Sequence, residues 1–288
     1  MDYAIQILSL ISIYALLAVS LNLIAGHAGI LNLAHAAFFG LGAYAYALTS
    51  SQWGLSFSWA LGSGGLVAGL VAALVSWPLT RFRGDSVALA TFAFQILTVS
   101  VIMNLTGVTG GPTGLPGVPQ PQLPSFLPWN LAFLLLVFAF AVLAWLLVEY
   151  LGNSPFGRVL HALREDEVAT AAKGKSCSAY KATIFIIGSL TAGLAGGLYA
   201  AYMMFIDPSS FDIGESIFLL SAVIIGGSGS RWGPWAGISL LIVMPEALRF
   251  SGIPANVAAN LRQVIYGIAL VALMLLRPHG LAGRYGFQ

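Results

Sequence analysis

Nine apolar runs, most of them about as long as a bilayer is thick, constrain this chain more than any other feature. They lie at about 4–25, 36–50, 57–79, 86–105, 129–150, 180–205, 215–229, 234–248 and 258–276. A helix that crosses a bilayer needs roughly 20 mostly apolar residues. Only 8% of the 288 residues are charged, against about 25% in an average soluble protein. So few charges do not cover the surface of a water-soluble fold of this size. The expectation is an all-α, polytopic membrane protein of about 8–10 transmembrane helices, in one domain spanning 1–288. The runs at 36–50 and 215–229 are short, and suit half-helices or re-entrant segments as well as full crossings. No polar stretch is long enough for a separate soluble domain. A net charge of +2 gives no reason to expect nucleic acid. The single cysteine, Cys177, excludes an internal disulfide. The first three residues carry no basic group and the apolar run continues to Ala25, so the start reads as a retained helix and not a cleavable signal.

Basic residues collect in cytoplasmic loops. If the stretch 151–180 is cytoplasmic and the runs alternate, ten of the twelve basic residues lie inside, and only Arg249 and Arg262 lie outside. This predicts an outside N-terminus and a cytoplasmic C-terminus. The outer loop 107–128 holds six prolines and five glycines and no charge. Such a composition breaks helices and fits a rigid cap folded back over the outer mouth as well as an ordinary connector. Gly26, Gly29, Gly40 and Gly42 punctuate one helical reversal, and Gly226, Gly229, Gly233 and Gly237 another, a weak internal echo of the kind found in transporters. Small residues four apart, such as Gly65 with Gly69 and Gly193 with Gly197, read as close helix packing.

The stretch 154–175 is expected to be a short amphipathic cytoplasmic helix. Ser154 suits an N-cap, Pro155 a first helical position and Gly174 a stop. Val159, Leu160, Leu163, Val168 and Ala172 recur at helical spacing. The acids Glu165, Asp166 and Glu167 disfavour an anionic lipid surface and favour a protein partner. Residues 169–176, ATAAKGKS, imitate a phosphate-binding loop. That loop works between a strand and a helix, where its amides converge on phosphate; here a helix precedes it and Ala169 replaces its first glycine. If ATP drives this protein, other subunits bind it.

Ionisable residues are scarce within the apolar runs, which argues against proton or sodium coupling. No catalytic constellation and no metal-spaced His, Asp or Cys cluster is present in the sequence, so neither an enzyme nor a metal site is expected. His27 and His35 fit backbone hydrogen bonding at a helix break. Asn22, Asn32, Thr91, Gln95 and Thr98 are candidates for a translocation path. Thr91, Gln95 and Thr98 share one helical face, and such residues either line a path or bind helices together.

Three segments, SLNLIAGHAGILNLAHAAFFGLGAYA (20–45), RGDSVALATFAFQILTVSVIMNLTGVTGGPTGLPGVP (83–119) and GRVLHALREDEVATAAKGK with IIGGSGSRWGPWAG (157–175 and 224–237), together resemble the LivM-like permease subunits of branched-chain amino acid ABC importers. The resemblance runs in order over nearly the whole chain. It implies a bacterial inner-membrane complex: a second, LivH-like permease, two ATPase subunits holding ATP and Mg beneath, and a periplasmic binding protein outside. This chain would bind no cofactor itself. The 154–175 stretch would be the coupling helix, with Arg158, Leu163, Arg164, Glu165, Asp166, Glu167, Val168, Ala169 and Gly174 facing an ATPase. The family's E-A-A-x-x-x-G pattern is only partly kept, with Val168, Ala169, Thr170 and Gly174 at its positions. A urea or short-amide importer is the alternative solute reading, and a uniport channel the alternative from another class.

Overall fold

In the computed structural model, residues 2–82, 84–123 and 127–249 are described. The run at 258–276, and Arg83, Arg262, Arg277 and Arg284, lie outside them. The described chain is almost wholly helical. Helix α1 (Asp2–Leu21) runs into a π-helical turn, Asn22–His27, and an irregular stretch over 28–34 leads to α2 (His35–Ser51). Then follow α3 (Phe57–Leu79), α4 (Asp85–Asn104), a short α5 (Thr106–Thr109) and α6 (Trp129–Asn153). Two short helices, α7 (Pro155–Glu165) and α8 (Glu167–Ala172), precede α9 (Cys177–Met203), α10 (Ile213–Gly226) and α11 (Gly233–Arg249). Among the described residues, six segments are long and apolar enough to cross a membrane, including α1 with its π-turn, α3, α4, α6 and α9. The chain is a multi-pass membrane protein.

The bundle is built around α1, α2 and α9. Helix α9 packs on α2, α3 and α1, and α1 also meets α6, α10 and α11. Of their apolar windows, 78% in α1 and 72% in α9 are buried, against 28% in α4 and in α6. The first two are therefore the centre, while α4 and α6 present an apolar face outward, to lipid or to another membrane subunit. In lipid, helices associate by close packing and not by the hydrophobic effect. Glycine supplies that closeness here. Gly42 lies flat on the backbone of Gly193, Gly196 on that of Phe39, and Gly65 on the side chain of Leu194. A methyl group at Gly42 would overlap the Gly193 carbonyl. Gly64 and Gly193 likewise bring α3 against α9.

The described part of the 107–128 loop doubles back over the bundle. Gly110, Gly111, Gly114 and Gly117 adopt positive φ, which lets the chain turn repeatedly. Strand β1 (Leu115–Pro116) pairs antiparallel with β2 (Phe205–Ile206). Val118 N–H donates to Met204 O at 3.1 Å, Tyr46 Oη to Pro119 O at 3.2 Å, and Trp129 Nε1 to Pro121 O at 3.3 Å. The two glycine-punctuated reversals meet: a methyl group on Gly26 would come 2.5 Å from Gly229 N.

Candidate functional site

The middle of α4 holds a buried polar joint. Gln95 is the eleventh residue of the 20-residue α4, hence near the centre of a span. Its Oε1 accepts from Ala37 N at 2.8 Å and from Ser216 Oγ at 3.3 Å. Ser216 Oγ in turn accepts from Ala36 N at 3.0 Å. Gln95 Nε2 donates to Phe211 O at 2.7 Å. Gln95, Ser216, His35 and Asn32 are fully buried. Helices α2 and α10 therefore both begin beside the centre of α4. In the first turn of α2, where intrahelical acceptors run short, Ala36 N is met by Ser216 of α10 and Ala37 N by Gln95 of α4, the latter shared with Ala34 O at 3.1 Å. Close by, Leu33 N donates to Thr91 Oγ1 at 3.1 Å. His35 Nε2 lies 2.8 Å from Ser20 Oγ, and Asn32 Oδ1 accepts from Ala34 N at 2.9 Å. The turn before α10 is held by Asp207, whose Oδ1 accepts from Ser210 N at 2.8 Å. Burial works to raise the Asp207 pKa, but hydrogen bonds from Ser209 and Ser210 outweigh it and hold the carboxyl below its ordinary value.

The second polar region lies around the π-turn that follows α1, where α7 packs on it. Ser154 Oγ accepts from Gly157 N at 3.3 Å and caps α7, with Pro155 at the first helical position. The stretch is two helices and not the single one read from the sequence. The break is at Asp166, whose extended backbone ends α7 and whose Oδ1 accepts from Val168 N at 2.8 Å and Ala169 N at 3.0 Å to start α8. An aspartate in mid-helix competes with the backbone for these N–H groups, and here it wins. Gly174 closes the element at φ +75°. Leu160 and Leu163 are buried within the chain, whereas Val168 is 68% exposed. Glu167 pairs with Lys181 of α9 at 2.6 Å, a lysine whose side chain is only 9% exposed. The Arg164 guanidinium donates to Gly26 O. Beside it, Arg231 and Glu149 pair at 2.6 Å, and the His27 and His161 rings lie 5.3 Å apart.

Residues 3–274 match the family model described as the permease component of the branched-chain amino acid transport system. The chain belongs to this permease family. It is 33% identical to the high-affinity branched-chain amino acid transport system permease protein LivM of Escherichia coli K12, over 96% of this chain and 69% of that protein. LivM of Salmonella typhimurium is 32% identical over the same shares. The E. coli K12 permease protein LivH is 26% identical over 95% of this chain and 92% of its own length. No solved structure matches.

Within this permease, the path candidates separate into two groups. Thr91, Gln95 and Thr98 lie on the buried face of α4, and Thr91 and Gln95 accept backbone N–H groups at the start of α2. Thr98 turns back to Phe94 O at 2.9 Å. Asn32 belongs to the same joint, but Asn22 sits in the π-turn, accepting from Gly229 N at 2.8 Å and donating to Ser230 O at 3.2 Å. Of the residues expected to face an ATPase, Arg158, Glu165, Asp166, Val168, Ala169 and Gly174 are exposed. Leu163 faces its own bundle, and Arg164 and Glu167 reach back to Gly26 and Lys181. Ser216, Phe211 and Lys181 were not singled out in the sequence. Ser216 carries no local signal of its role, since its partners are 121 and 180 residues away. Lys181 had one: a basic residue near the start of an apolar helix, downstream of three acids. Among the described residues, no group of three or more His, Cys, Asp or Glu could hold a metal ion.

Proposed function

We propose that this chain is the LivM-like half of the membrane channel of an ABC importer, and that it carries branched-chain amino acids inward across the bacterial inner membrane. Its N-terminus lies outside. It works with a second, LivH-like permease, while ATP and Mg are held by two separate ATPase subunits and a periplasmic binding protein delivers the solute. The observation that carries the reading is the identity with LivM proteins across 96% of this chain. The α7–α8 element supports it. Its exposed surface mixes Val168 and Ala169 with Arg158, Glu165 and Asp166, a small apolar patch with a charged rim, suited to a groove on a protein partner. Arg231 and Arg158 lie at the same end of the bundle, as the basic-inside rule requires if that end is cytoplasmic.

The chain contributes no chemistry. It supplies two arrangements of one path, and ATP-driven movement of the ATPases selects between them. The test is reconstitution of this chain with its second permease, ATPases and binding protein in liposomes. Leucine uptake that needs ATP is the expected result. Val168→Asp places a charge where an apolar side chain is to be buried by the partner, and should weaken ATPase association by about tenfold or more. Uptake of urea in place of leucine would change the solute, ATP-independent uptake would overturn the importer, and a Val168→Asp complex of unchanged affinity and activity would remove α8 from the docking surface.

A further inference from the structure

We infer that Arg164 is the residue that passes movement of the α7–α8 element into the membrane, by clamping the inner end of α1. The inference rests on the proposal that α7–α8 docks on an ATPase. Arg164 is on α7, yet its guanidinium donates to Gly26 O, 138 residues away in sequence. Gly26 lies in the last turn of the α1 helical column, where carbonyls have no intrahelical partner and the helix dipole is negative. A cation that also donates hydrogen bonds meets both conditions at once. The fit extends to the stem of the side chain. Gly29 has φ +68°, and a Cβ there would come 2.7 Å from Arg164 Cγ. Glycine at 29 thus permits both the turn and the seating of the arginine.

What Arg164 holds continues along the backbone to segments that are each anchored by side-chain hydrogen bonds. Four residues after Gly29, Leu33 N is held by Thr91, and Ala37 N by Gln95, both on α4. Gln95 also holds Phe211 O and Ser216, so the starts of α2 and α10 share one anchor. On the other side of the π-turn, Asn22 holds Gly229 and Ser230, where the chain turns from α10 toward α11. A shift of α7 that carries Gly26 with it therefore reaches the beginnings of both short helices and the turn between α10 and α11. The π-turn is the compliant part of this path: its wide i→i+5 geometry is less stable than α-helix and is a common place for a span to change register. The Glu167–Lys181 pair, by contrast, ties α8 to α9, a long and largely buried central helix. That pair is the pivot and Arg164 the lever.

Arg164 is thus a positioning residue, and its removal should separate ATP use from transport. In liposomes holding the full complex, Arg164→Ala should lower the leucine moved per ATP hydrolysed by about tenfold, and Arg164→Lys, which keeps a cationic donor, should recover part of that ratio. Gly29→Ala, which displaces the arginine without removing it, should act in the same direction. An unchanged ratio in Arg164→Ala overturns the inference, as does a loss of ATP hydrolysis and uptake in equal proportion. If Arg164→Ala does not assemble, the ratio in Arg164→Gln decides on the same terms. The Val168→Asp variant reports separately on docking: if it leaves ATPase association intact while Arg164→Ala lowers the ratio, α8 is not part of the docking surface, docking runs through the exposed face of α7, and the lever stands.

Discussion

Gln95 is a single neutral side chain in the middle of a span, holding together parts of the chain more than 170 residues apart. Its two polar ends meet Ala37 N, Ser216 Oγ and Phe211 O. Away from water, a polar group left without its partner costs about 1–3 kcal/mol. Replacing Gln95 with Met keeps the length of the side chain but takes the donor from the Phe211 carbonyl and the acceptor from the Ser216 O–H, and should lower stability by about 2–4 kcal/mol. Ile96→Met, one residue on and 48% exposed, should stay within about 0.5 kcal/mol. Thermal unfolding of the two variants in detergent makes the comparison. Sequence pattern alone left Thr91, Gln95 and Thr98 open between a path and a seam. Their common face was legible from the i, i+4, i+7 spacing; the partners of Thr91 and Gln95 were not, because segments distant in sequence bring them in, while Thr98 bonds within its own helix.

Among elements, the seam between α2 and α9 depends on glycine at the point of crossing. Helices that touch at Gly42 and Gly193 approach backbone to backbone, and Gly42→Ala must push them apart. Overpacking of this kind costs about 1–3 kcal/mol. Gly62, in α3, has open space where its Cβ would be, so Gly62→Ala should be neutral or stabilising by up to about 1 kcal/mol, the difference in helix propensity. Denaturation of both variants by a graded detergent or heat series distinguishes a packing glycine from a permissive one. The α7–α8 stretch shows the same dependence on surroundings. Leu163 and Val168 both belong to the apolar set of the 154–175 stretch, but five residues on a helix turn through about 140° and Asp166 restarts the helix between them; Leu163 is turned to the bundle and Val168 to solvent. A charge at Leu163 would therefore damage this chain directly and say nothing about an ATPase.

For the whole molecule, the orientation in the membrane is tested by access. Gln120 is exposed in the loop over 107–128, and Lys175 is exposed beyond α8. In a Cys177→Ser background, a cysteine at Gln120 should react with an impermeant maleimide added to intact cells, and a cysteine at Lys175 only after permeabilisation. The reverse pattern would invert the topology. Cys177 itself is a poor reporter of sidedness, since it is 8% exposed at the start of α9 and points at the carbonyls of Glu167 and Lys175. The outward apolar faces of α4 and α6 suit lipid and a second permease alike, and cross-linking from exposed α4 positions such as Leu97 would map which of them a partner covers.

The amino-acid sequence by itself was enough for an all-helical membrane protein, its family, the caps at Ser154 and Gly174, and the two short helices now seen as α2 and α10. These are local properties: apolar length, glycine and proline placement, and short motifs in order along the chain. The tertiary structure decided what those pieces do to one another. It brought the starts of α2 and α10 to one glutamine, split the 154–175 helix at Asp166, turned Arg164 inward onto Gly26 and buried Lys181 against Glu167. The physical reason is that hydrogen bonds and close approaches between distant segments depend on the helices' relative placement, which periodicity along one helix does not encode. A polar residue in an apolar run announces that it needs a partner, and only the packed bundle shows which one it has.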